Sequence, residues 1–178
     1  NLMRAKRLER RVRDPQSNIE QVLDLGFVGE PGLVEPHIMD VIIESDLIPV
    51  VAPIGVGPDG ETLNINADTF ASALAVALKA KRLLLLTDVD GVLDKEGRLV
   101  RSMSTAEAQS LIDDGTINGG MIPKIEGCVD VISVGVEAVV ILTGTVPHAV
   151  LPELFPEHGV GTRIERKRPG GSRTRAPR

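Results

Sequence analysis

Hydrophobic positions along the 178 residues come in two kinds of run: spaced runs that recur as on a helix face, and short unbroken runs bounded by charge. Leu2, Met3, Ala5, Leu8 and Val12 approximate a helical stripe on a basic surface, ending before Asp14 and Pro15. Alternation over residues 19–28 predicts one or two short strands, broken by Gly26 and again by Gly29, Glu30 and Pro31. Pro36 suits a first helical turn and opens a helix through Ile38, Met39, Ile42 and Ile43 that Asp46 ends. Residues 47–54 form a β-rich apolar run interrupted by Pro49. Turn chemistry fills 55–60, and 61–66 alternate as a returning strand.

The second half is more regular. Residues 67–81 are rich in Ala and Leu and read as a helix. The unbroken run 83–86 has the signature of a strand buried on both faces. Residues 94–97 make a tight turn between two short strands. Ser104 with Glu107 is a capping-box pattern, in which hydroxyl and carboxylate each satisfy an orphan backbone N–H, and that helix closes at Gly115. Another helix spans 121–134, with Pro123 in its first turn and Gly135 at its end. Residues 138–142 are a second fully apolar strand, followed by a short helix near 148–155 and a strand near 162–164. Residues 165–178 read as a basic disordered tail. No repeat is evident. Alternating strands and helices predict the α/β class, with a largely parallel sheet covered on both faces. The absence of a linker predicts one domain.

Composition narrows the functional classes. Apolar residues make up 42% and mean hydropathy is +0.08, so a packed core is within reach, and with aromatics at 2% it must be aliphatic. Phe27, Phe70 and Phe155 are too few and scattered for a base-stacking platform, so no nucleic-acid partner is expected. The net charge of −5 hides two basic ends: residues 1–14 carry six Lys/Arg against two acids, and 165–178 six against one. Each end could tether nucleic acid or anionic lipid; runs this short are more often solvated tails. Cys128 stands alone, which excludes an intramolecular disulfide and suits a small buried residue. No run approaches the roughly 18 apolar residues of a membrane span. His37, His148 and His158 lack metal-ligand spacing, and Asp88, Asp90 and Asp94 lack the glycine and closing glutamate of a calcium loop. No protein-held metal is expected.

Three segments could carry chemistry. Asn64, Asn66 and Asp68 lie where a strand hands over to a helix, beyond the strand's carboxyl end, where open α/β sheets bind ligands. Asn66 could equally cap that helix, with Asp68 complementing its dipole. An amide at Asn64 has no such local reason and suits a polar substrate. Thr87, Asp88, Val89, Asp90, Gly91, Val92 and Leu93 end a buried-type strand in a polar turn that could present backbone groups and Asp88 to a nucleotide, or be a plain β-turn. Thr116, Ile117, Asn118, Gly119, Gly120 and Met121 lead into a helix whose first turn holds Lys124. Free N–H groups there attract phosphate, glycine lets it approach, and lysine adds a charge; a solvated lysine is the ordinary alternative. A phosphate loop of the Walker type is absent. Together the three segments suit phosphoryl transfer, which is mostly positioning and charge stabilisation.

In this order the strings NINAD (64–68), LLLLTDVDGVLD (83–94) and NGGMIPK (118–124) resemble the N-acetylglutamate kinases of the amino acid kinase family. VPHAVLPELF (146–155) and HGVGTRI (158–164) resemble their C-terminal end. The resemblance covers residues 1–164. It implies a three-layer αβα sandwich with a mainly parallel central sheet, comprising a nucleotide-binding lobe and part of a substrate lobe. It also implies transfer of the ATP γ-phosphoryl to the side-chain carboxylate of N-acetyl-L-glutamate, with Mg²⁺ carried by the nucleotide, in cytoplasmic arginine biosynthesis. Asn64, with Asn66, would bind acetylglutamate, Asp68 would orient catalytic lysines, and Lys124 would stabilise the phosphoryl in flight. Residues 87–93 and 116–121 would hold ATP, and Glu153 and Gly159 would belong to an inhibitory arginine site. A homo-oligomer and a PII-type signalling partner are further implications. The family's lysine-bearing glycine-rich loop, second glycine-rich loop and substrate arginine do not occur here, so the resemblance is to a C-terminal portion, expected to be inactive and poorly soluble alone. Glutamate 5-kinase, carbamate kinase, or a non-catalytic arginine- or partner-binding fragment are the alternative readings.

Overall fold

The computed structural model describes residues 1–13, 20–155 and 159–166. The break at Asp14 and Pro15, His158 and the basic tail from 167 onward lie outside the described residues. Although no linker is visible in the sequence, the chain condenses into two compact units, Asn1–Ala80 and Lys81–Arg178.

The first unit opens with β1 (Met3–Arg13) and β2 (Glu20–Val34), paired antiparallel from Met3↔Val34 to Arg13↔Glu20. The helix expected over residues 2–12 is therefore a strand. Its apolar spacing is irregular, and near its start burial follows the period of two: Met3 and Ala5 point inward while Arg4 and Lys6 face out. Pairing along β2 outweighs any helical preference. β2 also continues as one strand through Gly29 and Pro31, where a break was expected, although its register against β1 shifts between Met3 and Ala5 and between Arg7 and Glu9. Helix α1 (His37–Glu44) follows Pro36. Of the apolar run 47–54 only the last residue enters a strand, β3 (Ile54–Val56); Pro49 and Pro53 lack ladder donors, and Ile48 and Val50 are 91% and 96% exposed. β4 (Thr62–Ile65) leads into α2 (Ala67–Ala77), four residues shorter than expected.

The four strands close into a ring. β2 pairs parallel with β4, β4 antiparallel with β3, and β3 returns parallel to β1 through Arg4↔Val56. Met3, Ala5, Leu63, Ile65 and Phe70 fill its core. Closure needs Gly55, since a Cβ there would lie 2.6 Å from that of Ala5 and 2.9 Å from Ile65 Cδ1.

In the second unit the sheet runs β5–β7–β8–β6. Here β5 is Arg82–Thr87, β6 is Ser102–Ser104, β7 is Ala138–Thr143 and β8 is Thr162–Glu165. β5 and β7 are parallel over six residues, from Arg82↔Ala138 to Thr87↔Thr143. β8 is antiparallel to β7 and parallel to β6, so the sheet is mixed. All six residues of β7 are buried. Val140 and Leu142 gather with Ala149, just ahead of α5 (Val150–Leu154), while α3 (Thr105–Asp113) and α4 (Met121–Ser133) pack against the sheet. The α/β class thus holds, whereas β5 departs from expectation: only Leu85 is buried and Leu86 is half exposed. The cause is position, because β5 lies at the sheet's edge and β7 inside it. Residues 94–97 do turn the chain, but the flanking strands reduce to one bridge, Leu93↔Leu99.

Candidate functional site

In the first unit, alternation along β4 sends Leu63 and Ile65 into the core and leaves Asn64 outward and exposed. Asn64 is flanked by Val28 on β2 and Ile54 on β3, so its backbone is held from both sides while its amide faces solvent. Asn66 is the N-cap of α2: its Oδ1 accepts from the Thr69 N–H at 3.1 Å and from the Thr69 hydroxyl at 3.2 Å. The capping role is thus occupied by this side chain, leaving its NH₂ for other partners. Asp68, half-buried in the first turn, is the acidic residue that complements the helix dipole.

In the second unit, β5 ends at Thr87, whose carbonyl accepts from Gly144 N at 2.7 Å and whose hydroxyl donates to Asp88 at 3.1 Å. Asp88, Val89 and Asp90 then emerge into solvent and Gly91 and Val92 dive back. The Val92 N–H donates to buried Thr162 Oγ1 at 2.8 Å. That closure needs Gly91, with φ +148° and no room for a Cβ against Thr162 and Leu99. The loop therefore has an anchored base and an exposed tip at the carboxyl end of a parallel pair, where α/β sheets bind ligands. Leu93, at its end, makes the bridge to Leu99.

The second segment is braced from below. Ile117 is buried and donates to Leu111 O at 2.8 Å, and Asp114 accepts from both the N–H (2.9 Å) and the hydroxyl of Thr116. Asn118 reaches back to Gly115 O at 3.4 Å. Gly119, at φ +57°, and Gly120 open α4 without a side-chain cap, and open space flanks both. Fewer backbone donors are available here than the sequence implies: Met121 and Ile122 donate to Asn118 and Gly119 carbonyls at 3.3 Å, and Pro123 has no N–H. Lys124 is half-buried in the first turn of α4.

Two carboxylates are held by partners in the turns beside these segments. The backbone N–H of Arg98, then its guanidinium, hold the Asp94 carboxyl below its ordinary value. The Thr116 hydroxyl, then its N–H, and then Lys95 at 3.3 Å do the same for Asp114.

Glu153 and Gly159 meet in a cavity of about 570 Å³, with Lys81, Arg82, Arg101 and Glu137 also on its walls. The buried Glu153 carboxylate accepts from Gly161 N at 2.8 Å, and Arg101 donates to Gly159 O at 2.8 Å. Among the described residues, no group of three or more His, Cys, Asp or Glu could hold a metal ion, and no helix is long and apolar enough to cross a membrane.

A sequence model of the amino acid kinase family matches residues 5–143, which include Asn64, Asp68, both loop segments and Lys124. The chain belongs to the amino acid kinase family. Among family relatives, the acetylglutamate kinase of Parvibaculum lavamentivorans is 60% identical over 166 residues, 93% of this chain and 55% of that protein. That of Brucella canis is 60% identical over 164 residues, 92% and 55% respectively. The chain thus spans about half the length of the curated relatives it matches. The structure resembles N-acetylglutamate synthase from Neisseria gonorrhoeae complexed with coenzyme A and L-arginine (TM-score 0.80, 27% identity, 94% of this chain and 37% of that one). It also shares its fold with carbamate kinase from Giardia lamblia bound to AMP-PNP (TM-score 0.59, 19% identity, 89% and 52%).

Within the amino acid kinase fold, the supports of these loops were not legible beforehand. Thr162 lies seventy residues from Val92 and reads as an ordinary strand residue. Lys95 reads as a turn lysine. Only Asp114 had a local signal, a carboxylate two residues before a threonine, the usual setting of an Asx turn.

Proposed function

We propose that this chain is the nucleotide-handling portion, with part of the acceptor-handling portion, of an acetylglutamate kinase. The whole enzyme would transfer the ATP γ-phosphoryl group to the side-chain carboxylate of N-acetyl-L-glutamate, on the route to arginine. The identity to the Parvibaculum and Brucella enzymes carries this reading, and it favours acetylglutamate over glutamate or carbamate as acceptor. Residues 87–93 and 116–121 of the second unit are the nucleotide side. Asn64 and the free end of the Asn66 amide, in the first unit, are the acceptor side.

The acceptor carboxylate, with an ordinary pKa of about 4.3, is ionised near neutrality, so no base is needed to generate the nucleophile. What the reaction demands is charge neutralisation and alignment. Lys124 offsets the charge on the phosphoryl group in transit, and Asp68 is an organising carboxylate rather than a base. Mg²⁺ arrives with the nucleotide. The family's remaining cationic groups are not in these 178 residues, so the chain alone is expected to be inactive. In the whole protein, the cavity at Glu153 and Gly159 would take arginine as inhibitor, with its buried carboxylate and basic rim matching the two ends of that amino acid. A homo-oligomer, a PII-type partner and a cytoplasmic setting complete the reading.

The test is a chimaera in which the part of the Parvibaculum enzyme not covered by this chain is joined to it. Hydroxamate trapping should detect acetylglutamyl phosphate, and Lys124→Ala should lower kcat by about 10²–10³-fold, the scale of losing one oxyanion-stabilising donor. A chimaera that folds yet phosphorylates carbamate or glutamate in preference would overturn the assignment. Turnover by the unfused chain would overturn its expected inactivity.

A further inference from the structure

We propose that Lys95 and Asp114 form a staple that holds the two nucleotide segments, residues 87–93 and 116–121, in one arrangement before any nucleotide arrives. Both are positioning residues, and the proposal rests on the nucleotide reading of those segments.

The two segments belong to different connections, one leaving β5 and the other following α3, and share no strand. Lys95 Nζ lies 3.3 Å from Asp114 Oδ2. On one side of that contact, Asp114 Oδ1 accepts the N–H and hydroxyl of Thr116, the first residue of the second segment. On the other side, the turn presenting Lys95 is itself fixed. Asp94 accepts from Glu96 N at 3.0 Å, Arg98 N at 2.8 Å and Arg98 Nε at 2.9 Å. One residue earlier Leu93 bridges Leu99, and before it Val92 is tied to Thr162 in β8. A continuous path of hydrogen bonds, chain and one ion pair therefore runs from the sheet, through the end of the first segment, to Thr116 at the start of the second.

The ion pair alone is weak, since the side chains are 59% and 47% exposed. Its value lies in geometry: both Asp114 oxygens are engaged, so the lysine fixes a carboxylate already aligned by Thr116. Ordering a loop beforehand removes part of the entropy that binding would otherwise cost. Neither residue needs to touch the nucleotide.

The experiment is calorimetric titration of Mg-ATP into the full 178-residue chain and its variants, with amide hydrogen exchange read at Thr116 and Ile117. Asp114→Ala should raise Kd about fivefold, in proportion to lost hydrogen bonds, and speed exchange at both amides. Lys95→Ala should raise it about twofold, an effect that shrinks in high salt, and Lys95→Arg should restore it. Asp114→Asn, which keeps the Thr116 contact and loses the charge, should match Lys95→Ala, and the double variant should be no worse. Unchanged Kd in Asp114→Ala and Lys95→Ala, with the unaltered chain binding Mg-ATP, would sink the staple alone. No Mg-ATP binding by the unaltered chain, with Thr116 and Ile117 protected, would sink the nucleotide reading and the staple with it.

Discussion

The two units bury apolar surface very differently. Among the described residues, seven hydrophobic side chains are buried in the first eighty positions and seventeen in the remainder, whereas thirteen large exposed hydrophobics fall in the first unit and nine in the second. The second unit has an interior strand, β7, covered along its whole length. The first has a small ring whose core is five side chains, with its most exposed apolar residues, Ile48 and Val50, on the run between α1 and β3. Exposed apolar surface on this scale marks an interaction site or an aggregation hazard. The difference teaches that composition alone does not set burial. Both units are rich in Val, Leu and Ile, and every strand of the first unit's ring already has a neighbour on each edge, so what separates them is how far a strand such as β7 is covered on both faces.

The sharpest way to break this contrast is to remove a side chain from the interior strand. Leu142→Ala should destabilise the second unit by about 2–5 kcal/mol, the cost of lost transfer energy plus a cavity. Circular dichroism during urea unfolding measures it, and a loss under 1 kcal/mol would mean that β7 is not the centre of a packed core. Next in size are the two helix caps, which allow like to be compared with like. Asn66→Ala in the first unit and Ser104→Ala in the second should each cost about 1 kcal/mol. Ser104 belongs to a complete capping box, its hydroxyl accepting the Glu107 N–H at 3.2 Å while the Glu107 carboxylate accepts the Ser104 N–H at 2.8 Å. If Asn66→Ala proves neutral, the cap is not the reason for that amide. Ile48→Ser should change stability by no more than about 0.5 kcal/mol, since the side chain is 91% exposed, yet raise the concentration at which the chain stays monodisperse in light scattering.

The smallest effect is electrostatic. Thr116 and Lys95 hold the Asp114 carboxyl below its ordinary value in the folded chain. Its contribution is therefore present above the unfolded carboxylate value of about 3.9 and is lost as pH falls through the lower folded value. Acid unfolding of Asp114→Asn followed by circular dichroism should show a shallower loss of stability below about pH 4 than the unaltered chain. An identical acid limb in both would show that Asp114 keeps its ordinary value.

Much of the site was readable as a string. Asp88 to Leu93 and Thr116 to Gly120 are loops where turn residues predict them, Lys124 is in a helical first turn, and the Ser104 box is as its two residues require. Asn66 carried two readings, cap and ligand, and the geometry fills the first. What could not be read were the distant contacts that tether those loops. Val92 with Thr162 and Lys95 with Asp114 are separated by seventy and nineteen positions, and nothing local in either partner signals the other.

From the sequence come those features that depend on near neighbours: caps, turns, glycines at positive φ, helices with a clear period, and the class of fold. Those that depend on which strand lies beside which came only with the tertiary structure. Residues 3–13 are a strand because β2 runs beside them, and Leu86 is exposed because nothing in the sheet pairs beyond β5, while β7, equally apolar, is enclosed. The physical reason is common to all of these: backbone hydrogen bonding and burial in a sheet are satisfied by distant segments, so a strand's environment is a property of the assembled layers and not of its own residues.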